Sequence, residues 1–587
     1  MTAKLGQFGG VRIALVGLVV CALAGAAIAG PAPDRARLEA DVRALADDIG
    51  PRSRNTAGAT RAAGEIERRA AAIGLEVQRY PVGRVRSPEI RVAGRLIMAA
   101  GVHQVEDDNL VVEIAGRGIG PAILVMAHYD TVHGTPGAVD NAVGVAVLLE
   151  LGRLLRDMPP ARPVLLAWTA SEEHGLAGAR ALVRDLGDRV GLAIAIDLLG
   201  AANAIDLNGL SDRMGAEWLS WLAITARAAG VDVRAPVPQR VVSRLLPAIE
   251  RSDHGPFTER GVPAFHLYSR GPERIFLDYH APSDTTERVA WPAVLGGVRL
   301  IFAITQRSGE LPRAGGDPGM WLDVPGGPRV ISWAVLLGIE ALLLWIALAG
   351  LVLLRRRRAR AVDGFGRGLF TNMISLGAGW GVAAIVLSLA RRATQHPAPW
   401  VHEPARFYAA AIAAAIAIAI AGAWLLAHRL PPAGRARFLA PAILGPAVLG
   451  IILVIVAAPE LALPCFFLAA CFGALALTDR LPAQLALFAL TLWPLAAALD
   501  PALLREAVYH GFLPATAPLW PALALLTLPH ALAAIYLLRS HPIRLPPSRL
   551  LLPLAAALLL IAATALAVIP TPRCTRPAFE SHGLQCE

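Results

Sequence analysis

The stretch that decides the fold is Ala122-Ile-Leu-Val-Met-Ala-His-Tyr-Asp130, which is followed after nine residues by Asp140-Asn-Ala-Val-Gly-Val-Ala-Val-Leu-Leu149. The apolar run 122–127 is continuous, which is typical of a strand that is covered on both faces of a sheet. Residues 141–155 predict a helix. A buried strand followed by a helix is the usual beginning of a β-α-β unit, so this stretch predicts a parallel sheet.

The same rhythm continues on both sides of this stretch. Upstream, apolar residues recur at helical spacing through 34–48 and 55–73. Downstream, predicted strands at 164–168 and 192–196 enclose a predicted helix at 177–186. The order of elements predicts an α/β fold with a mixed, largely parallel central sheet that is flanked by helices.

The composition indicates that a second large part of the chain is in contact with lipid. Of the 587 residues, 55% are hydrophobic and only 17% are charged, whereas an ordinary soluble domain carries about 25% charged residues. About eight apolar segments follow residue 328, each near the ~20 residues that a span requires. They are 331–354, 369–390, 406–427, 439–457, 461–478, 482–499, 518–538 and 550–570. These segments predict an all-α multispan transmembrane domain.

The chain therefore divides into five predicted parts. They are a signal peptide or N-terminal membrane anchor at 1–30, a soluble domain at 31–310, a Gly- and Pro-rich linker at 311–328, the transmembrane domain at 329–570 and a tail at 571–587. The first part ends in Ala27-Ile28-Ala29, which suits a cleavage site, but an uncleaved anchor is equally compatible. Both alternatives place the soluble domain outside the cytoplasm.

The distribution of arginine gives the orientation and excludes nucleic acid as a partner. Residues 329–587 carry 20 arginines against 9 acidic residues, and Arg355–Arg358 directly follows the first predicted span. Positive charge flanks membrane spans on the cytoplasmic side, so we expect the soluble domain and the tail to be extracytoplasmic, on the periplasmic side of a bacterial inner membrane. A disulfide between Cys574 and Cys586 could form there. No basic patch remains on the soluble domain to bind nucleic acid.

Acids and histidines collect at the ends of the predicted strands. The stretches that carry them are His128-Tyr-Asp130, Gly137-Ala-Val-Asp140-Asn141, Ser171-Glu-Glu-His-Gly175, Ile196-Asp197-Leu198 and Asp278-Tyr-His-Ala-Pro-Ser-Asp-Thr285. Imidazole and carboxylate groups are ligands of zinc. Two zincs that share a carboxylate and a hydroxide require two histidines, a bridging acid, a further acid for each metal and a separate carboxylate as base. The five stretches supply this set.

In this order, the motifs HxD, GAxDN, SEExG, a lone Asp after a strand and YHxPxDT resemble the M28 family of zinc metallopeptidases, which are di-zinc exopeptidases. The resemblance covers about residues 40–305. Transferred by motif, it implies two Zn²⁺ per chain, with His128 and Asp197 on one zinc, Glu173 and His280 on the other, and Asp140 between them. It further implies that Glu172 is the general base and then the acid to the leaving amine.

Three further residues have expected roles, the first two from the resemblance and the third from its position two residues after His128. Tyr279 is similar to a tyrosine that stabilises the oxyanion in some members, and Asp253 lies in a stretch that resembles a family motif near the pocket. Asp130 is expected to accept the second N–H of the His128 ring. The peptide bond after the bridging acid is often cis in this family, which makes Asp140–Asn141 a candidate. We expect His133, His174 and His254 to be ordinary loop or structural residues.

The layout of one leading apolar segment, a peptidase domain and many spans resembles the membrane-bound branch of the family in the endoplasmic reticulum and vacuole. The resemblance there rests on architecture alone. Within the spans, Glu340 and His530 are ionisable, and intramembrane charges are functional candidates. We expect instead that each faces the helical bundle and meets a hydrogen-bonding neighbour.

The sequence thus predicts a membrane-anchored di-zinc aminopeptidase that acts on peptides with a free N-terminus. Two alternatives stay open. One is a carboxypeptidase or a glutaminyl cyclase-like reaction on the same scaffold, and the other is a transporter or assembly factor whose soluble domain only binds peptides. The sequence does not give the side-chain preference or the oligomeric state.

Overall fold

This computed structural model describes two main regions. The first is 32–357, with gaps at 88–89, 93–94, 99–100, 236–251, 271–277 and 325–326, and the second is 436–491 without 479. Isolated positions are also described, at 392, 417, 558, 561, 565, 574–575 and 585–586. The predicted leader at 1–30, His530 and, apart from such single positions, the predicted spans 369–390, 406–427, 518–538 and 550–570 lie outside the described residues.

An eight-stranded sheet forms the centre of the first region. Its strands are β1 (Gln78–Ser87), β4 (Gly101–Ile114), β5 (Ala122–His128), β6 (Val164–Thr169), β7 (Val190–Ile196), β8 (Ala204–Asn208), β9 (Val233–Arg234) and β10 (Ala264–Arg270), in the spatial order β1-β4-β6-β5-β7-β10-β8-β9. The small strands β2 (Ile90–Val92) and β3 (Arg95–Met98) pair with each other between β1 and β4.

The four central strands β6, β5, β7 and β10 run parallel, and antiparallel pairs join β1, β4 and β8 to them on the two sides. The prediction of a mixed, largely parallel sheet flanked by helices is confirmed. In a parallel sheet the carboxyl ends of neighbouring strands lie at one edge, where sites form. This arrangement places the polar stretches that follow β5, β6 and β7 next to one another.

Helices cover both faces of the sheet. They are α1 (Arg35–Arg43), α2 (Ala57–Ala72), α3 (Val143–Asp157), α4 (Ala177–Leu186), α5 (Ala216–Ala228), α6 (His254–Glu259) and α7 (Trp291–Gln306). Alternate residues of β5 point to opposite faces: Ile123 and Val125 join the core under α3, whereas Leu124 and Met126 join the core under α4. All of β5 is buried, which explains its uninterrupted apolar sequence.

The predicted elements differ from the structure mainly at their ends, and two of these differences concern the polar stretches. Strand β5 continues to His128, one residue beyond the apolar run. Helix α3 begins at Val143 rather than at residue 141, because Ala138–Ala142 forms an irregular turn with non-helical Asp140 and Asn141. Both differences occur at polar residues next to the edge of the sheet. The polarity of a residue does not by itself show where a strand ends or a helix begins.

The predicted linker 311–328 contains ordered structure. Strand β11 (Gly319–Leu322) pairs antiparallel with β12 (Arg329–Ser332), and both pack against α5. Trp321, on β11, is 1% exposed and belongs to the main core. The following helix starts at Trp333, directly after β12, so the soluble domain continues into the first apolar helix with no loop between them.

The apolar region contains four described helices, α8 (Trp333–Arg357), α9 (Ala436–Ile455), α10 (Pro459–Leu477) and α11 (Leu481–Leu490). Within the described residues, two of them, at Trp333–Leu354 and Pro459–Leu477, are long and apolar enough to cross a membrane. These two helices meet at glycines, since a Cβ on Gly350 would lie 2.4 Å from the carbonyl oxygen of Gly473. Close backbone contact through small residues is typical of helix packing in lipid.

The environment of the Glu340 side chain matches the prediction in its burial but not in its hydrogen bonding. Its side chain is buried, with 3% of the residue exposed, as expected for a residue that faces the bundle. Neither carboxylate oxygen has a hydrogen-bond partner among the described residues. A second buried acid of this region, Glu460, is 3% exposed and does have a partner. It accepts a hydrogen bond from Trp333 Nε1 at 3.1 Å.

Candidate metal centre

Three neighbouring parallel strands bring the predicted site residues to one edge of the sheet. His128 is the last residue of β5, Glu172 and Glu173 follow β6 after a two-residue turn, and Asp197 directly follows β7. His280 comes from the loop before α7, and Asp140 lies in the turn before α3. Five stretches that are far apart in sequence therefore meet at the carboxyl ends of β5, β6 and β7.

Asp140 lies between the two histidines. His128 Nε2 is 3.2 Å from Asp140 Oδ1 and 3.8 Å from Asp197 Oδ1. On the other side, His280 Nε2 is 3.3 Å from Asp140 Oδ2 and 3.1 Å from Glu173 Oε2. The two oxygens of one carboxylate thus face two different imidazoles, and each imidazole also faces a second acid.

These contacts define two groups of potential metal ligands, His128–Asp140–Asp197 and Asp140–Glu173–His280, in each of which the ligand atoms lie within 4.8 Å of one another. Glu172 forms a third such group with His128 and Glu173. Glu172 therefore lies beside both positions without belonging to either of the first two groups. The structure brings together all six residues that the resemblance places at the metals.

Asp130 contacts the site differently from the expectation. The ring Nδ1 of His128 lies 3.0 Å from the backbone carbonyl oxygen of Asp130 and 3.7 Å from its carboxylate. A carbonyl only accepts, so it favours an N–H at Nδ1 and a free lone pair at Nε2. The carboxylate of Asp130 instead accepts the backbone N–H groups of Glu172 at 3.0 Å and Glu173 at 3.3 Å, which orients the turn that carries both glutamates.

The backbone turns sharply at this edge of the sheet. Ser171, Leu198 and His280 have φ values of 57°, 51° and 57°, which non-glycine residues rarely adopt and which cluster at functional sites. The Asp140–Asn141 bond is cis, as the resemblance suggested. The Asn141 side chain donates to the carbonyl of Ile196 at 2.6 Å, so the residue after Asp140 contacts the residue before Asp197.

The electrostatics of the metal-free site reflect its burial and its many acids. Burial opposes the charged form of His280, but Glu173 and Asp140 raise its pKa to about 10. The acids around His128, with Glu172 the largest contributor, likewise raise its pKa well above the ordinary value in spite of burial. Burial also raises the pKa of both Glu172 and Glu173. Such a cluster strongly favours a positive charge at its centre.

The remaining predicted residues surround this cluster. The Tyr279 ring stacks on the His280 ring at 3.7 Å between centroids. Asp253, 1% exposed, accepts a hydrogen bond from Thr169 Oγ1, and burial raises its pKa to about 6. His133 is exposed, while His174 is half-buried beside Glu173. His254 is fully buried, with its ring 4.9 Å from that of His266.

Two buried residues in contact with the site were not predicted. Asp284 was part of a quoted motif but had no assigned role, and its oxygens accept the backbone N–H groups of Val139 at 2.8 Å and Asp140 at 3.1 Å. Arg52 is fully buried and donates to backbone carbonyls of the loop that joins His128 to Asp140. Nothing in the sequence around Arg52 separates it from the many other arginines.

The donor set fits zinc better than other common metals. Zinc combines imidazole nitrogen with carboxylate oxygen at four-coordinate sites, and a catalytic site has three protein ligands with one position left for water. Each of the two groups here offers one imidazole and two carboxylates. Magnesium and calcium prefer oxygen ligands alone, so the paired histidines argue against them.

Comparison with known proteins identifies the domain that carries this site. A model of peptidase family M28 matches residues 109–304. The chain carries an M28 peptidase domain. The matched range contains every residue of the cluster from His128 to His280, and the prediction of an M28 metallopeptidase is confirmed.

The M28 domain has relatives of known and unknown activity. Aminopeptidase YwaD of Bacillus subtilis is 29% identical over 178 residues, which are 29% of this chain and 37% of YwaD. The uncharacterized protein YfbL of Escherichia coli is 28% identical over 301 residues, which are 45% of this chain and 87% of YfbL. The solved structure of BSAP, a zinc aminopeptidase from Bacillus subtilis, aligns with 46% of this chain and 94% of its own, at 19% identity and a TM-score of 0.39.

Proposed function

We propose that the M28 domain is a di-zinc aminopeptidase that removes N-terminal residues from peptides. The observation that carries the proposal is the position of Asp140, whose two oxygens face His128 and His280 at 3.2 and 3.3 Å. A carboxylate shared by two imidazole–carboxylate groups is the arrangement that a bridging ligand of two metals requires. The name of the relative YwaD supports the assignment to aminopeptidases.

In this proposal His128 and Asp197 hold one zinc, Glu173 and His280 hold the other, and Asp140 is shared. Zinc in such sites polarises a carbonyl group and lowers the pKa of water. The carbonyl of Asp130 keeps the proton of His128 on Nδ1, which leaves Nε2 available to the metal. The carboxylate of Asp130 accepts the backbone N–H groups of Glu172 and Glu173, and these contacts hold the two side chains in separate orientations.

Glu172 is the proposed general base. Its side chain lies next to both ligand groups, and burial raises its pKa, which increases its affinity for a proton taken from the attacking water. The same carboxyl group then donates that proton to the leaving amine. Tyr279, stacked on His280, is the proposed donor to the oxyanion, and Asp253 remains a buried acid that borders the site.

We also propose that this domain acts outside the cytoplasm as part of a multi-pass membrane protein, within the domain boundaries that the sequence predicts. Two apolar helices of sufficient length support membrane attachment. Trp333 contacts Glu460 and Gly350 contacts Gly473, so these two helices run in the same direction. The predicted topology, in which both enter the membrane from the outer side, requires the same direction.

The decisive experiment compares substrates that differ only at the N-terminus. Purified full-length protein should hydrolyse alanyl and leucyl p-nitroanilides, whereas the N-acetylated compounds should be inert, because an aminopeptidase binds the free amine beside its metals. A chelator should abolish hydrolysis. Equal cleavage of free and acetylated amides would exclude an exopeptidase that recognises the amine. Cyclisation of N-terminal glutamine without amide hydrolysis would favour the cyclase alternative. If Glu172→Ala kept its full biological activity, a peptide-binding role would be favoured instead.

A further inference from the structure

Arg52 is a fully buried cation behind the candidate metal centre, with 0% of the residue exposed. Among the described residues, every hydrogen bond of its guanidinium is to a backbone carbonyl and none is to a carboxylate. A buried charge is costly: burial lowers the pKa of Arg52 to about 10, and the charges of Asp284, Asp130 and Asp140 oppose this shift without hydrogen bonding to it. Its hydrogen bonds therefore show what it holds in place.

The contacts of Arg52 connect the two ends of one loop. Its Nε donates to the carbonyl of Tyr129 at 2.8 Å, and its Nη2 donates to the carbonyl of Gly137 at 2.8 Å. Tyr129 directly follows His128, and Gly137 lies three residues before Asp140. The guanidinium is planar and rigid, and therefore sets the separation between the residue after one proposed ligand and the turn that carries the next.

The loop is also built to fit this side chain. The backbone N–H of Arg52 donates to Thr131 Oγ1 at 2.9 Å. Gly137 has a φ of 63°, and a Cβ there would lie 2.4 Å from the carbonyl oxygen of Asp140 and 3.0 Å from Arg52 Nη2. Only glycine fits at this position without displacing either the Arg52 side chain or the turn at Asp140.

Arg52 acts on the His128 ring through one peptide unit. Its contact fixes the carbonyl of Tyr129, and the next carbonyl along the chain, that of Asp130, contacts His128 Nδ1 at 3.0 Å. The orientation of the imidazole thus depends on a short backbone segment that Arg52 holds in place. Groups that orient metal-binding histidines typically change metal affinity 10–100-fold when they are altered.

The second metal position depends on Arg52 less directly, through the shared Asp140 and the segment at Asp130. Glu173 is oriented by the carboxylate of Asp130, and the amide of Asp140 is held by Asp284, which lies in the same loop as His280. No described hydrogen bond joins Arg52 to Glu173, Asp284 or His280. An altered Arg52 should therefore affect the two positions unequally.

We propose that Arg52 is a positioning residue that fixes the spacing of His128 and Asp140. It thereby sets the affinity of the metal position formed by His128, Asp140 and Asp197 more strongly than that of the second position, with which the first shares Asp140. The inference rests on the proposed di-zinc function. A side chain that merely stabilised the fold would lower the melting temperature without separating the two metal affinities.

The test is a zinc titration of the detergent-solubilised full-length protein against a chromophoric chelator. We expect two tight zincs in the wild type. In Arg52→Lys, we expect one zinc that binds at least tenfold more weakly and a second whose affinity falls by a smaller factor. Arg153→Lys is the matched control, because Arg153 is also largely buried in this domain but pairs with Asp41 at 2.9 Å and Glu150 at 3.2 Å. It should retain both wild-type affinities.

Gly137→Ala gives a second route that leaves Arg52 unchanged, and it decides the matter if Arg52→Lys does not fold. The added methyl group displaces the same loop and the turn at Asp140, so we expect at least one zinc to bind tenfold more weakly. Two zincs of wild-type affinity in Arg52→Lys would overturn this inference but not the proposed function. The same result in Gly137→Ala would do so if only that variant folds. A wild type that binds no zinc would overturn the proposed function, and this inference with it.

Discussion

The two adjacent glutamates at 172 and 173 show how single residues divide the chemistry. Both amide groups are held by the one carboxylate of Asp130, so the chain leaves β6 in a defined direction and the two side chains diverge. Glu173 reaches His280 at 3.1 Å, whereas Glu172 stays beside both ligand groups. Neighbours in the sequence therefore have different proposed tasks.

Glu172→Gln and Glu173→Gln should accordingly have different effects. Removal of a general base typically costs about 10²–10⁴ in rate, so Glu172→Gln should lose that much kcat while both zincs remain. Glu173→Gln should lose zinc from one position. Steady-state hydrolysis of an aminoacyl amide and zinc content by mass spectrometry measure the two effects. Full zinc content in both variants with equal residual activity would show that the roles are wrongly divided.

Zinc binding should release protons and should tighten as the pH rises. In the metal-free site the neighbouring acids raise the pKa of His280 to about 10 and hold that of His128 well above its ordinary value, which favours the doubly protonated form of each ring. Zinc requires the neutral imidazole, and each ring must lose its second proton. Calorimetric titration in buffers of different ionisation enthalpy measures the number released. An apparent enthalpy that is independent of the buffer would contradict this.

At the scale of elements, the site depends on loops that connect one part of the cluster to another. The carboxylate of Asp284, four residues after His280, accepts the amides of Val139 and Asp140. The carbonyl of Asp284 also accepts the amide of Ala138 at 3.2 Å. These hydrogen bonds join the loop before α7 to the turn before α3. The separation of His280 from Asp140 depends on them.

Asp284→Asn tests that connection. An amide offers one acceptor where the carboxylate offers two, so one buried backbone N–H loses its partner at a cost of about 1–3 kcal/mol. We expect a lower melting temperature at pH 8 together with weaker zinc binding. Asp188→Asn is the control, since the Asp188 side chain is 89% exposed and pairs with Arg260 on the surface. Identical melting curves and zinc affinities for both variants would show that the loop contact is unimportant.

The elements themselves could be predicted because their patterns are local. Continuous apolar runs marked β5, β6 and β7, and helix α4 has the bounds that the sequence indicated. The proposed ligands were visible because acids and histidines directly follow those strands. Arg52 and the task of Asp284 were not visible, because both act through backbone groups of distant segments, and the identity of a backbone carbonyl leaves no signal in the sequence.

At the scale of the whole molecule, the domain that carries the site is joined to the first apolar helix without an intervening loop. Trp321 on β11 is packed in the core of the soluble domain, β12 pairs with β11, and α8 begins at Trp333 directly after β12. The Gly and Pro content of residues 311–328 indicated a linker. A hairpin also uses these residues at its turn, so composition alone does not separate a linker from a short β-hairpin.

The C-terminal tail offers a test of the predicted orientation. Cys574 and Cys586 are opposite each other on two antiparallel strands, and disulfides persist only in oxidising compartments. We expect that, when membranes are lysed in the presence of a thiol-reactive maleimide, the thiols of Cys574 and Cys586 react only after reduction. The double variant Cys574→Ser, Cys586→Ser should show no change on reduction. Full reactivity of both cysteines before reduction would place the tail on the reducing side or leave the pair unjoined.

The most direct test of the central claim is anomalous diffraction at the zinc edge from crystals of the purified protein. The account predicts two peaks about 3.5–4 Å apart, one beside His128 and Asp197 and one beside Glu173 and His280, with Asp140 between them. A single peak, or no peak among these residues, would contradict the di-zinc centre.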